Sequence, residues 1–278
     1  MITRVFRIAA ACLILAIATA VPAHAGAWTV PKGGWYHKLS ATYFTADSEF
    51  DTSHDEQPFE LEGRFTQANL IYYGEYGIID SLTAVWSIPL RKVHYTNLFE
   101  AGETTGIADV ELGLRVRLAA KNSFFFSFQG LFIVPGEYDG ADTLPLGNDQ
   151  NSAEARLLMG ASALGGRIYF GGEAAYRYRS QEPSDEWRFL VELGGNFSKV
   201  LYGRLKLSEI RSVENQDDIR DVFGNPLVQL ASELRGAELT LGARLSKRWS
   251  GEASWLPIVY GRSIAKGDTW VLAAVYSF

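Results

Sequence analysis

Thr269-Trp270-Val271-Leu272-Ala273-Ala274-Val275-Tyr276-Ser277-Phe278 closes the sequence, and the reading of this stretch decides the fold. Side chains along a β-strand point alternately to opposite faces. Trp270, Leu272, Ala274, Tyr276 and Phe278 therefore share one face, and Thr269, Val271, Ala273, Val275 and Ser277 share the other. The first face has aromatic residues at both ends and aliphatic ones between. A barrel strand facing lipid needs that arrangement, an apolar band about 25 Å tall edged by aromatic girdles. A soluble β-sandwich would turn its apolar faces inward and has no use for aromatic ends.

The same alternation recurs upstream. In Asp109-Val110-Glu111-Leu112-Gly113-Leu114-Arg115-Val116-Arg117-Leu118, the aliphatic residues fall on one face and Asp109, Glu111, Arg115 and Arg117 on the other. Twelve such segments are predicted, near 35–44, 65–76, 82–92, 108–118, 124–135, 153–163, 168–179, 187–197, 201–210, 231–245, 249–260 and 269–278. Most are long enough for a tilted transmembrane strand of about 9–11 residues. Connections after the even segments are short, as at 77–81, 119–123, 164–167, 198–200 and 246–248. Most of those after the odd segments are long and polar, as at 45–64, 92–106, 136–152 and 211–229. Sorting short turns to one rim and long loops to the other is a property of outer-membrane barrels, with the short turns periplasmic. The predicted fold is all-β, a transmembrane antiparallel up-and-down barrel of about 12 strands with both termini periplasmic. Trp35 and Trp249 fall at predicted periplasmic strand ends, and Trp187 and Trp270 at outer ends. Together with Tyr276 and Phe278 they are the expected membrane-interface aromatics.

The first 25 residues read as an address. Arg4 and Arg7 form a basic start, 8–20 is apolar, and Ala23-His24-Ala25 has the small-x-small pattern of a cleavage site. Domains are accordingly expected at 1–25, a cleaved signal peptide, and 26–278, the barrel, exported to a bacterial outer membrane. Cys12 leaves with the leader, so the remaining chain has no cysteine and no disulfide. Of 26 basic and 32 acidic residues only the two leader arginines are lost, which leaves a net charge near −8. That balance argues against a nucleic-acid partner.

A charged residue facing lipid at mid-bilayer costs about 2–4 kcal/mol for Arg or Lys, so the polar face of each strand must point inward. That places Arg156, Arg177, Arg179 and Arg188 on consecutive strands near the outer end of one lumen wall. Glu154, Glu173 and Glu192 lie among them, and Asp109 and Glu111 are placed to face them. Two readings stay open. The arginines select an anionic solute, as charged rings do in pores, or they pair with the glutamates as a cross-strand ladder that stiffens the wall.

Two stretches carry a resemblance. Tyr73-Gly74-Glu75-Tyr76-Gly77-Ile78-Ile79-Asp80-Ser81-Leu82 ends a strand in a Tyr-Gly-hydrophobic-x-Asp turn. Gly106-Ile107-Ala108-Asp109-Val110-Glu111-Leu112-Gly113-Leu114-Arg115 is followed by a strand ending at Val134-Pro135-Gly136. Over about 65 residues these resemble outer-membrane barrels described as phenol-degradation (meta-pathway) transporters. The resemblance implies uptake of hydrophobic or aromatic compounds and no catalytic residues. A more distant similarity is to long-chain fatty-acid channels, which carry an N-terminal plug. Only Gly26 to about Gly34 precede the first strand here, and so short a segment is expected not to fill a lumen.

Enzyme chemistry finds little footing. Beyond the leader there are three histidines, His37, His54 and His94. His37 shares the lipid-facing side of Trp35 with no outward serine on a neighbouring segment, and a Ser–His pair must lie within hydrogen-bond reach. His94 is expected in a solvated loop, near Asp109 and Glu111. The loop acids Asp139, Asp142 and Asp149, and Asp217, Asp218 and Asp221, lack the ligand spacing of a calcium loop. No cofactor or metal is expected. The expected partners are outer-membrane lipid and lipopolysaccharide, the barrel-assembly machinery through the C-terminal strand, and a small solute. The sequence thus predicts a channel for a small solute, hydrophobic or aromatic with an acidic group. The rival is a non-conducting structural barrel that acts through its outer loops or as an export accessory.

Overall fold

The computed structural model describes residues 26–138, 144–180, 184–213, 219–220, 226–228 and 232–278. Twelve strands form the wall: β1 (Trp35–Phe50), β2 (Arg64–Ile79), β3 (Leu82–Thr96), β4 (Val110–Lys121), β5 (Phe124–Val134) and β6 (Ser152–Ala163). They continue as β7 (Ile168–Arg179), β8 (Glu186–Asn196), β9 (Leu201–Ser212), β10 (Glu233–Arg244), β11 (Trp249–Arg262) and β12 (Ile264–Ser277). Each pairs antiparallel with its chain neighbours, and β12 pairs with β1 from Tyr36↔Ser277 to Phe50↔Ile264, which closes the barrel. Trp35 and Phe278 exchange both backbone hydrogen bonds, at 3.0 and 2.9 Å, so the closing seam runs to the last residue.

The chain's alternation is borne out in burial. Along β12, Trp270 and Leu272 are 58% and 68% exposed while inward Val275 is buried. Along β4, Leu112, Leu114 and Leu118 face out and Arg115 is buried. The interior is polar: Thr83, Ser127, Gln129, Glu154, Glu192, Thr240, Glu252 and Ser254 are all buried. Every one occupies the inward parity of its strand.

The rim where β1 begins and β12 ends has tight turns, such as Asn122-Ser123, where Asn122 takes a positive φ of 55°. Asparagine tolerates that left-handed backbone better than most residues. At the far rim the wall differs from the expected loops. β1, β2 and β3 run 15–16 residues and β11 and β12 run 14, against 11–12 for β4 to β10. Part of 45–64 is strand, and Glu56–Pro58 adds a short edge to β1. Part of 92–106 is also strand, because Ala101–Ile107 folds back along the top of β3. Polar composition points to loop in both stretches. Their residues nevertheless alternate and pair, because backbone pairing needs no apolar face.

Ring stacks edge the outer surface. Near the terminal rim Trp35 stacks on His37 with ring centroids 5.3 Å apart, and Trp249 lies 5.0 Å from Tyr276. His37 Nδ1 is 2.9 Å from the Tyr72 hydroxyl. Toward the far rim Trp187 packs on Tyr176 at 4.9 Å and Trp270 stacks on Trp255 at 6.2 Å. The Phe278 ring lies beneath the Arg248 guanidinium at 4.4 Å.

Candidate functional site

Because strand partners sit directly opposite one another, inward charges meet in rows. Arg177 is flanked in register by Glu154 on β6 and Glu186 on β8. Glu154, with a side chain 0% exposed, gathers three guanidinium groups: Arg156 at 2.5 Å, Arg177 at 2.9 Å and Arg188 at 3.6 Å. Arg177 also reaches Glu111 across the lumen at 2.7 Å, and Arg156 reaches Glu173 at 2.5 Å. Arg179 turns away to Glu186 at 2.6 Å and to the Ser184 carbonyl. This first network balances Arg156, Arg177, Arg179 and Arg188 against Glu111, Glu154, Glu173 and Glu186.

A second network lies on the opposite arc. It is a chain of alternating charge: Glu192, Lys206, Glu238, Arg204, Glu252, Lys38. Glu192, Lys206 and Glu238 are register partners across β8, β9 and β10. Arg204 bridges Glu238 at 3.0 Å and Glu252 at 3.4 Å, and Lys38 reaches Glu252 at 2.7 Å. Lys38 is on β1 and Glu252 on β11, so this bridge passes over β12. The small inward residues of β12, Ala273 among them, leave room for it. A third, smaller network joins Arg115 to Glu75 at 3.1 Å and to Gln129 and Tyr73.

The N-terminal segment leaves a cavity beside it, in keeping with a stretch too short to fill the lumen, yet it enters the lumen all the same. From the Gly33-Gly34 turn it runs up inside the barrel, and Ala27, Trp28, Thr29 and Val30 are buried. Val30 donates its N–H to Thr83 Oγ1 at 2.9 Å on β3, and the Thr29 hydroxyl donates to the Asp80 carbonyl. The Trp28 carbonyl accepts from Arg115 at 3.0 Å on β4, and the Ala27 carbonyl accepts from the Ser127 hydroxyl at 2.6 Å on β5. The Trp28 ring packs with Leu158, Phe125 and Tyr169. It sits over Gly160, where any Cβ would strike the indole. Filling a lumen by volume takes many residues. Bridging it takes only a few in extended form, because each advances about 3.3 Å.

At the far mouth Asp109 binds the loop that follows β5. It accepts from the Tyr138 hydroxyl and from the Asn148 N–H. Burial and this carboxylate push the Tyr138 phenol well above its ordinary range, so it stays a donor. Leu144 and Leu146 pack on Val93 and Ala108, and inward Arg91 donates to the Leu146 carbonyl at 2.6 Å. Beside the N-terminal segment, and lined by residues from β1 to β9, lies a cavity of about 260 Å³. Trp28, Val85, Leu131 and Leu158 are its apolar lining, and Arg115, Arg156, Glu173, Glu192 and Arg204 are among its charged lining.

The predicted lumen residues thus divide. Arg156, Arg177 and Arg188 meet at Glu154, with Glu111 and Glu173 joining them. Arg179 stands aside with Glu186. Asp109 hydrogen-bonds to the loop while its carboxylate stays within electrostatic range of Arg179, and Glu192 belongs to the second network. His94 lies in β3 rather than a loop, and its charged neighbour is Glu103 at 3.8 Å. Asp139, Asp142, Asp217, Asp218 and Asp221 lie outside the described residues. Among the described residues no group of three or more His, Cys, Asp or Glu is placed to hold a metal ion. Sequence reading passes over Lys38, Glu75, Arg204, Lys206, Glu238 and Glu252, although all occupy inward parity in predicted strands.

A closed twelve-strand barrel with a polar, ion-paired interior has the fold of the outer-membrane β-barrels. Among solved structures, an outer membrane channel from Pseudomonas putida F1 superposes with a TM-score of 0.72 over 93% of this chain and 100% of its own, at 14% identity. The KdgM porin in complex with oligogalacturonate gives 0.53 over 87% and 99%, at 7% identity. The translocator domain of the autotransporter NalP from Neisseria meningitidis gives 0.52 over 88% of each chain, at 12% identity. No protein-family model and no curated protein matches the sequence.

Proposed function

We propose that this chain is an outer-membrane channel for small solutes whose lumen is held shut by its own N-terminal segment. The observation that carries the reading is a polar cavity on the barrel axis, bounded by a segment held through a few hydrogen bonds and one aromatic ring. The terminal rim faces the periplasm in this reading, the ring stacks lie at the two membrane interfaces, and lipopolysaccharide meets the outer girdle. The final strand through Phe278 is what the assembly machinery engages. The solute is small, with an apolar or aromatic body for Trp28, Val85, Leu131 and Leu158 and an acidic group for the cationic lining.

In planar bilayers the purified protein is expected to conduct in brief openings. Arg188 has the longest contacts of the first network, at 3.2 and 3.6 Å. Arg188→Gln is expected to leave the barrel folded and to shift selectivity toward cations, measured as reversal potential in a salt gradient. A silent wild-type barrel, or unchanged selectivity in the variant, counts against this reading. The ion-paired interior favours the rival, a closed structural barrel, and that rival predicts silence throughout.

The bilayer placement has its own test. Leu112, 48% exposed on the outer face of β4, becomes an arginine in lipid in Leu112→Arg. The expected cost is about 2–4 kcal/mol, read as a lower urea midpoint for the barrel in vesicles. An unchanged midpoint places that face elsewhere than in the hydrocarbon.

A further inference from the structure

The second network has two ends, and they differ. At one end Lys38 holds Glu252 at 2.7 Å, but at the other Glu192 has Lys206 as its ion-pair partner at 3.6 Å from Oε2, and Lys206 is shared with Glu238 at the same distance. A gap of 3.6 Å is beyond hydrogen-bond range for N–H···O. The Tyr169 hydroxyl also hydrogen-bonds to the Glu192 carboxylate, but as an uncharged donor it brings no positive charge. Glu192 Oε1 is buried, and among the described residues it accepts no hydrogen bond. The side chain is 7% exposed and lines the central cavity. A buried carboxylate oxygen without a donor is costly, and more so when the group is charged.

We propose that Glu192 determines specificity in the lumen by receiving the ammonium group of a small solute. This rests on the reading of the lumen as a solute path, and it names the chemistry of the group that path accepts. An ammonium supplies what Glu192 lacks, namely a positively charged donor at hydrogen-bond distance from Oε1. A neutral hydroxyl would fill the acceptor but add no positive charge to the loose pair that Glu192 makes with Lys206. The solute's body lies against Trp28 and Leu158, the apolar lining at that level. Lys206 is the internal competitor, drawn partly to Glu192 and partly to Glu238, and its loose hold on each lets a solute ammonium take its place. With an acid for Arg204 or Lys38, the accepted class becomes zwitterionic.

The test uses the full barrel in detergent micelles, with benzylammonium and benzyl alcohol as probes in calorimetric titration. Benzylammonium is expected to bind at least about tenfold tighter than the alcohol, the scale of one hydrogen bond to a charged group. Glu192→Gln should abolish that difference, and Lys206→Gln should strengthen benzylammonium alone. The second variant keeps the test decisive should the first fail to fold. Equal binding of the two probes, binding of neither, or discrimination that survives in Glu192→Gln overturns the proposal. Discriminating binding by a barrel that never conducts sustains the site and overturns the channel reading.

Discussion

Glu154→Ala is expected to destabilise the folded barrel by about 3–5 kcal/mol, the usual scale for removing one partner from a buried charge cluster. The reason lies in how the cluster divides its charge. Glu154 is fully buried and is the shared acceptor for Arg156, Arg177 and Arg188. Without it the three guanidinium groups keep only Glu173, Glu111 and Glu186 between them. Arg177 loses the partner directly beside it in register and keeps one that lies across the lumen. Glu173→Ala should cost much less. Its side chain is 15% exposed and serves Arg156 alone within the first network, and Arg156 keeps Glu154. Urea unfolding in micelles, followed by the mobility of folded and unfolded forms in gels, measures both. Equal midpoints for the two variants would mean that the cluster contributes as scattered pairs and not as a unit. That outcome would return weight to surface-like ion pairs, which are worth only about 0–1 kcal/mol each.

The cluster also bears on what the arginine wall can do. Arg156, Arg177, Arg179 and Arg188 face four carboxylates, so the first network is neutral as a whole. The second network and the Arg115–Glu75 pair are neutral as well. A solute meets no net field from these groups, and discrimination falls to local departures from balance. Glu192 and Arg188, at the loosely paired ends, are where such departures occur.

Much of this is legible in the sequence, and the rest escapes for identifiable reasons. Period-two alternation marks all twelve wall strands and their inside–outside register, because lipid penalises a slipped register by several kcal/mol at each charge. The extensions of β1, β2, β3, β11 and β12 are not legible, since no apolar face marks them. Inward charges can be named by parity, but their partners cannot. Asp109 and Glu111 share a face and a strand end, yet one binds a loop and the other binds Arg177. The inserted N-terminal segment leaves its trace in the wall that receives it. The Tyr76-Gly77-Ile78-Ile79-Asp80 turn is its socket: Gly77 gives the Val30-Pro31 backbone room to pass, and Asp80 accepts from Thr29 and from the Lys32 N–H. The second stretch is its counterpart at the far mouth, with Gly136 lying against the Ile107 and Ala108 carbonyls and Asp109 binding Tyr138. Both resemblance motifs therefore hold chain that enters the barrel mouths, and neither is explained by wall strands alone.

Trp28→Ala is expected to convert brief openings into sustained ones. The Trp28 ring is the main apolar anchor of the inserted segment, 9% exposed among Leu158, Phe125 and Tyr169. Truncating a buried tryptophan costs about 3–5 kcal/mol, and here the cost falls on the inserted state alone, because the wall strands keep their own pairing. Each 1.4 kcal/mol or so is a factor of ten in an equilibrium. The ratio of inserted to released segment should therefore fall by roughly 10² to 4 × 10³. Trp28→Phe keeps a ring in the same pocket and should lie much nearer wild type. Current recordings give the open fraction, and a labelling experiment gives the segment's position independently. The expected mature chain has no cysteine, so Thr29→Cys provides a single thiol near the size of the residue it replaces. Its reaction with a bulky thiol reagent should be slow while the Trp28 ring is present and fast once Trp28→Ala is added. Fast labelling without current would show a segment that leaves while the ion-paired lumen stays closed, and would move the gate from Trp28 to the charge networks. Slow labelling and silence in the variant would mean that the hydrogen bonds to Thr83, Arg115 and Ser127 hold the segment without its ring.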